Sequence, residues 1–139
     1  MNKFILPVFA FALAVSSCGT DKTSTQTTES AASQTTVINL TAKEFSEKSP
    51  SGTVIDVRTP GEVAQGKIEN AVVIDFYQPD FLDQVSKISK DQEIYLYCAV
   101  GARSEEAARM LVQQGYTKVY HLQGGIQAWQ QNGYPISQN

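Results

Sequence analysis

Residues 95–104 read Tyr95-Leu96-Tyr97-Cys98-Ala99-Val100-Gly101-Ala102-Arg103-Ser104. The stretch begins as an apolar strand, continues through small residues and enters a helix that we predict over residues 104–114. A strand that leads through a short loop into a helix is the building unit of parallel sheets. Ligands of open parallel sheets bind at the carboxyl ends of the strands, which is where Cys98 falls. The stretch therefore predicts an α/β fold with Cys98 at the edge that binds ligands.

Strand and helix patterns alternate on both sides of this stretch. Apolar and β-branched runs predict strands over residues 37–40, 53–57, 71–74, 93–97 and 118–122. Apolar residues spaced by three and four, together with capping and stop signals, predict helical segments over residues 41–48, 62–64, 79–88, 104–114 and 125–131. This alternation favours a five-stranded parallel sheet with helices on both faces.

Length and composition exclude several classes of protein. A chain of 139 residues has room for one α/β domain and not for two. The net charge of −3 gives no electrostatic footprint for nucleic acid. The cysteines and histidines are Cys18, Cys98 and His121, too few for a structural zinc site, and one disulfide cannot hold a small scaffold together. The core must therefore come from side-chain packing, and we expect no metal.

The first residues resemble a bacterial lipoprotein signal peptide. After Lys3, residues 4–15 form an apolar run that is too short to span a bilayer and suits the hydrophobic region of a signal. Small residues then precede Cys18, as in the lipobox of such signals. The resemblance predicts that residues 1–17 are removed and that Cys18 is lipidated, which places the protein at the bacterial cell envelope, periplasmic or anchored to a membrane. The alternative is an ordinary cleaved signal in which Cys18 is incidental.

Residues 18–36 predict a disordered tether between this anchor and a domain over residues 37–137. From Gly19 to Thr36 most residues are Ser, Thr or Gln, and none is Leu, Ile, Val or aromatic. Such a segment cannot bury enough apolar surface to offset its ordering entropy. A frayed terminus without function would have the same composition.

The loop that follows Cys98 is suited to holding an anion. Gly101 can adopt a positive φ angle and let the loop curl, and the small neighbours leave the backbone N–H groups open. A helix N-terminus and the cation Arg103 both lower the pKa of a nearby thiol, so we expect Cys98 to be a thiolate at neutral pH. The alternative is a buried, inert cysteine at the end of a strand.

Three motifs, in the family's order, resemble the single-domain sulfurtransferase type of the rhodanese family over residues 37–136. Residues 98–104 match its C-x-x-G-x-R-S loop, and residues 122–129 match its closing L-x-G-G-x-x-x-W. Asp56-Val57-Arg58 with Glu62 and Gly66-Lys67-Ile68 match its D-V-R…E…G-H-I segment. Lys67 stands where the family usually has histidine.

The resemblance implies catalysis through a persulfide. Cys98 would attack the outer sulfur of a donor such as thiosulfate, and the loop of Ala99, Val100, Gly101, Ala102, Arg103 and Ser104 would hold the product. A thiol acceptor, either a small molecule or a redox protein, would then take the sulfur, and neither a metal nor another cofactor is required. Related phosphatases of this fold have a loop one residue longer, so the six residues from Cys98 to Arg103 favour sulfur over phosphate.

Three charged residues near the predicted site allow two interpretations. Arg58 either attracts an anionic donor or joins a structural ion pair, and Asp56 and Glu62 are interpreted as structural, with Glu62 or Asp56 paired to Arg103 to hold the loop. We interpret His121 as a packed or surface residue and not as a general base. Trp129 is expected in the core.

Two alternatives to the enzyme remain from other functional classes. Rhodanese-like domains also serve as binding modules without catalysis, although such modules typically lack the cysteine. A persulfide or redox sensor would use the same thiolate without turnover. No apolar patch beyond the core stands out in the sequence, so we expect a monomer.

Overall fold

The computed structural model describes residues 36–138. The predicted signal at residues 1–17, the predicted lipidation site Cys18 and nearly all of the predicted tether lie outside the described residues. The elements are β1 (Ile38–Leu40), α1 (Ala42–Lys48), a 3₁₀ turn (Ser49–Ser51), β2 (Thr53–Asp56), α2 (Pro60–Val63), β3 (Val72–Val73), α3 (Phe81–Val85), β4 (Ile94–Tyr97), α4 (Ala102–Gln113), β5 (Val119–Leu122) and α5 (Gly125–Gln131). Within this part of the chain, every helix is too short or too polar to cross a bilayer.

The five strands form one parallel sheet in the order β1-β5-β4-β2-β3. This confirms the predicted five-stranded parallel sheet. The central strand, β4, is buried at all four of its residues. Because the carboxyl ends of parallel strands share one edge, Cys98 follows β4 at the middle of the edge predicted to bind ligands.

Helices cover both faces of the sheet, as predicted. Ile94 and Leu96 of β4 pack with α3 and α4 on one face, and Tyr95 and Tyr97 pack with α1 and α5 on the other. Phe45 of α1 lies at the centre of the second face, where it makes edge-to-face contacts with Tyr95, Tyr97 and Trp129. Trp129 is buried, which confirms its expected place in the core.

Helix boundaries differ from the predicted ones at three places. Helix α4 begins at Ala102 and not at Ser104, because Gly101 has the left-handed φ of 108° and directs the chain into the helix. Helix α2 begins at Pro60, where Thr59 and Glu62 form a capping box. Helix α3 covers only Phe81–Val85 of the predicted segment 79–88, because the chain on both sides of it continues in turns, in which the Ile88 N–H donates to the Val85 carbonyl. The Tyr116 hydroxyl bonds the carbonyls of Val85 and Ile88 at this end.

Candidate active site

The loop after β4 curls around the sulfur of Cys98. The side chain of Cys98 is completely buried, at 0 % exposure. The backbone N–H of Gly101 donates to Sγ at 3.1 Å, and the Ser104 hydroxyl oxygen lies 3.6 Å from Sγ. Both donors stand at the N-terminus of α4, where unpaired N–H groups and the helix dipole favour negative charge. The sulfur therefore sits in a site built to hold an anion.

Hydrogen bonding makes Cys98 more acidic than an ordinary thiol. Burial raises its pKa, but hydrogen bonds from Ser104, Gly101 and Val100 together lower it by more. The net pKa of Cys98 therefore lies below its usual value, in the direction expected from the sequence. Because the thiolate is the nucleophilic form, this arrangement favours nucleophilic chemistry at Sγ.

Arg103 does not act on the sulfur as an isolated cation. Its guanidinium makes two hydrogen bonds to the carboxylate of Glu62, with Nη1–Oε2 at 2.8 Å and Nη2–Oε1 at 2.6 Å. This pairing lowers the pKa of Glu62 to about 2. Glu62 also accepts hydrogen bonds from the backbone and hydroxyl of Thr59. Of the two predicted partners of Arg103, Glu62 is the one that pairs with it in the structure. This pair links α2 to the loop of residues 98–104, which we call the sulfur loop.

The depressed pKa of Glu62 makes its contribution to stability dependent on pH. We expect Glu62→Gln to lower the free energy of unfolding by about 1 kcal/mol at pH 6, since the pair is partly exposed. The unfolded carboxylate titrates near 4.5 and the folded one near 2, so this contribution is present above pH 4.5 and is lost as the pH falls toward 2. The difference in free energy of unfolding between wild type and variant, measured by urea unfolding, should therefore become smaller from pH 6 to pH 3. The exposed Glu69→Gln, which removes the same charge, is the matched control, and a constant gap would contradict the assignment.

Asp56 and Arg58 form a buried ion pair at the carboxyl end of β2. The Arg58 Nε donates to Asp56 Oδ1 at 2.9 Å, and Nη2 donates to Oδ2 at 2.6 Å. The same guanidinium bonds the carbonyls of Glu62 and Gly66. The hydroxyl of Tyr97 donates to Asp56 Oδ2 at 2.6 Å. These contacts support the structural interpretation of both residues: Arg58 ties the segment that carries Glu62 to β2.

Sequence reasoning assigned no role to the start of α5, which holds the other side of the loop. The N–H of Ile126 donates to the carbonyl of Cys98 at 2.8 Å, and the N–H of Gln127 donates to the carbonyl of Ala99 at 3.1 Å. A Cβ atom on Gly125 would lie 2.4 Å from the Cys98 carbonyl oxygen. The paired glycines at 124 and 125 therefore allow the helix to approach so closely. They are the feature of the sequence from which this contact could have been predicted.

The remaining residues considered from the sequence lie around this centre. His121 is buried, as one of its two interpretations expected, and its Nδ1 lies 3.0 Å from the Ser104 hydroxyl. Lys67 donates from Nζ to the Ala71 carbonyl and forms an isolated antiparallel bridge with Ser137. Among residues 36–138, no group of three or more His, Cys, Asp or Glu side chains is placed to hold a metal ion.

Comparison with known proteins identifies the family. Residues 41–132 match the Rhodanese-like domain family. A sulfurtransferase from Allochromatium vinosum is 43% identical over 83 residues, which cover 60% of this chain and 76% of that protein. The chloroplastic thiosulfate sulfurtransferase 16 of Arabidopsis thaliana is 36% identical over 91 residues, which cover 58% of this chain and 76% of that protein.

A solved structure shows the same fold over the described region. The crystal structure of a rhodanese-related protein from Thermoplasma volcanium superposes with a TM-score of 0.66 at 31% sequence identity. The match covers 73% of this chain and 99% of that one. With the sheet order and the sulfur loop described above, these matches show that the chain belongs to the rhodanese-like domain family.

Proposed function

We propose that the protein is a sulfurtransferase that carries a sulfane sulfur on Cys98. The observation that supports this most is the position of Sγ, buried at the N-terminus of α4 and bonded by the Gly101 N–H at 3.1 Å. The same donors that stabilise a thiolate also stabilise a persulfide anion, because both carry one negative charge on sulfur. The names of the two sulfurtransferases that resemble this chain point to the same activity.

The reaction takes two displacement steps on sulfur. In the first step, the Cys98 thiolate attacks the outer sulfur of thiosulfate, the S–S bond of the donor breaks, and sulfite leaves with the electron pair. In the second step, cyanide or a thiolate attacks the outer sulfur of the Cys98 persulfide and releases the Cys98 thiolate. Charge balances in each step, and no proton transfer is needed because the nucleophile is already ionised. This is covalent catalysis of the ping-pong type.

The test is to isolate the first step. The full chain is incubated with thiosulfate, and we expect its intact mass to increase by one sulfur atom with release of one equivalent of sulfite. Peptide mapping should place the added sulfur on Cys98 and not on Cys18. Addition of cyanide should then restore the original mass and release an equal amount of thiocyanate.

Two other outcomes would overturn the proposal. If no donor adds sulfur to Cys98, the domain is a binding module of the rhodanese-like type. If sulfur is added stoichiometrically but neither cyanide nor thiols remove it at a useful rate, the domain is a persulfide or redox sensor. The geometry around Sγ favours the enzyme because its donors stabilise the leaving thiolate in the second step.

The length of the loop provides a prediction about substrate class. Six residues from Cys98 to Arg103 enclose one sulfur, and a seventh would widen the ring of amides. Inserting one glycine after Gly101 should lower sulfur transfer from thiosulfate by about a hundredfold, since small displacements of catalytic groups have effects of that size. The rate is measured with thiosulfate and cyanide, and an inserted glycine after the exposed Asp91, in the turn between α3 and β4, is the control. An unchanged rate in the loop variant would contradict the size argument.

We also propose that the protein is an exported lipoprotein anchored through Cys18. The basis is the resemblance of residues 1–19 to a lipoprotein signal. Metabolic labelling with radioactive palmitate in a bacterial host tests it directly. Labelling should disappear in Cys18→Ser and persist in Cys98→Ser, and label that survives Cys18→Ser would refute the anchor.

A further inference from the structure

His121 is a buried titratable side chain for which the proposed mechanism has no role. It lies on β5, next to β4, and is 4 % exposed. Its Nδ1 lies 3.0 Å from the hydroxyl oxygen of Ser104, and that oxygen in turn lies 3.6 Å from Sγ of Cys98. Ser104 therefore bridges the histidine and the sulfur.

The hydroxyl of Ser104 has one proton and three neighbours. Besides Sγ and Nδ1, the carbonyl oxygen of Gly101 lies 3.0 Å away. A carbonyl and a thiolate can only accept a hydrogen bond, whereas Nδ1 of a neutral histidine either donates or accepts. If Nδ1 also accepted, three acceptors would compete for a single proton. If Nδ1 carries the proton, it donates to the Ser104 oxygen. The hydroxyl proton is then free to bond either the Gly101 carbonyl or Sγ of Cys98.

The carbonyl of Gly101 does not depend on Ser104. It already accepts the N–H of Glu105 at 3.0 Å, the first hydrogen bond of α4. The serine proton can therefore turn toward the sulfur without leaving a buried acceptor unpaired. This matters because an unpaired buried acceptor costs more than a weak bond gains.

We propose that His121 is a positioning residue, protonated on Nδ1, that orients the Ser104 hydroxyl as a hydrogen-bond donor to the sulfur of Cys98. This inference rests on the proposed role of Cys98 as the sulfur carrier. Through Ser104, the tautomer of His121 determines how strongly the loop stabilises the thiolate and the persulfide anion.

The surroundings of the imidazole agree with a neutral ring that donates from Nδ1. Burial lowers the pKa of His121, which keeps the ring neutral at pH 7. His121 also lines a cavity of about 400 Å³ together with Asn39, Glu105 and Gln123. A polar cavity of this size admits water, and a water beside the ring would donate to an unprotonated Nε2.

Nuclear magnetic resonance tests the tautomer directly. His121 is the sole histidine of the chain, so the nitrogen spectrum of its ring is unambiguous. In the ¹⁵N-labelled full chain at pH 7, Nδ1 should show the shift of a protonated nitrogen and Nε2 that of an unprotonated one. The reverse pattern would overturn the proposal.

Variants test the effect on the sulfur. In a Cys18→Ser background, Cys98 is the sole thiol, and its pKa is obtained from the pH dependence of the ultraviolet absorbance of the thiolate, taken as the difference from the same protein with Cys98→Ser. His121→Leu should raise that pKa by about one unit, the size expected for loss of a hydrogen bond to a charged group. His121→Asn places an amide N–H near the position of Nδ1 and should leave the pKa close to that of wild type. Ser104→Ala should raise it as His121→Leu does.

The double variant separates this role from a general effect on the fold. Because His121 acts through Ser104, His121→Leu should not raise the pKa further when Ser104→Ala is already present. An additive increase, or equal values for His121→Leu and wild type, would overturn the proposal. Thermal unfolding of each variant shows that the compared proteins are folded. None of these measurements requires sulfur transfer, so a failure of the proposed function would appear separately, as absence of the persulfide.

Discussion

Replacing Cys98 by serine should lower the steady-state rate of sulfur transfer from thiosulfate to cyanide by at least about a thousandfold. Removal of a covalent nucleophile has effects of this order or larger, because the remaining groups no longer act on a bound intermediate. A serine hydroxyl fits the same buried site, but it is not ionised at neutral pH and forms no persulfide. The measurement is thiocyanate production by the purified full chain.

The second cysteine of the chain supplies the matched control. Cys18→Ser replaces a cysteine outside the sulfur loop, and its rate in detergent solution should equal that of wild type. Equal rates for wild type and Cys98→Ser would rule out the enzyme. Thermal unfolding shows whether Cys98→Ser is folded, and we expect a melting temperature near that of wild type.

Replacing Gly125 by alanine should disrupt the sulfur loop. The added Cβ would lie 2.4 Å from the Cys98 carbonyl oxygen and 2.6 Å from the carbonyl carbon and oxygen of Ala99, so backbone must move. The φ angle of 58° adds a cost of roughly 1–2 kcal/mol for a residue with a side chain. Together with overpacking, the free energy of unfolding should fall by about 3 kcal/mol. Sulfur transfer should fall at least about tenfold because the loop loses its position.

Gly61→Ala is the control for this substitution. Gly61 lies in α2, where a Cβ would meet nothing within 4 Å. Alanine favours the helical conformation, so Gly61→Ala should leave the stability unchanged or raise it slightly. Urea unfolding and the thiocyanate assay are applied to both variants. A Gly125→Ala protein with wild-type stability and rate would contradict the close approach of α5 to the loop.

The fold was predictable because its signals are local. β4 is buried on both faces, and a continuous apolar run before Cys98 is what such a strand requires. A capping box at Thr41 and Glu44, a spacing visible in the sequence, marks the start of α1 within the predicted segment 41–48. The predicted extent of α3 was wrong: the helix stops at Val85, whose carbonyl accepts the hydroxyl of Tyr116, 31 residues further along the chain. No local pattern reports such a contact.

The site was predictable in its centre and not in its supports. Cys98 and Gly101 are adjacent in sequence to the helix that polarises them, so their arrangement follows from the strand-loop-helix order. The pairing of Arg103 with Glu62 joins residues 41 positions apart, and the sequence left Asp56 as an equal partner. His121 reaches Ser104 only because β5 pairs with β4, a fact of sheet order that the residue itself does not indicate.

The burial of Cys98 implies a filter on the shape of sulfur compounds. Its side chain has no exposed surface, although its pKa is held below that of an ordinary thiol. Because even a water-sized molecule touches no surface of this side chain, any donor reaches Sγ only when the backbone of the loop shifts. A small donor such as thiosulfate needs a smaller shift than a bulky disulfide. For the proposed sulfurtransferase we therefore expect steric exclusion to favour small donors, before any difference in chemical reactivity acts.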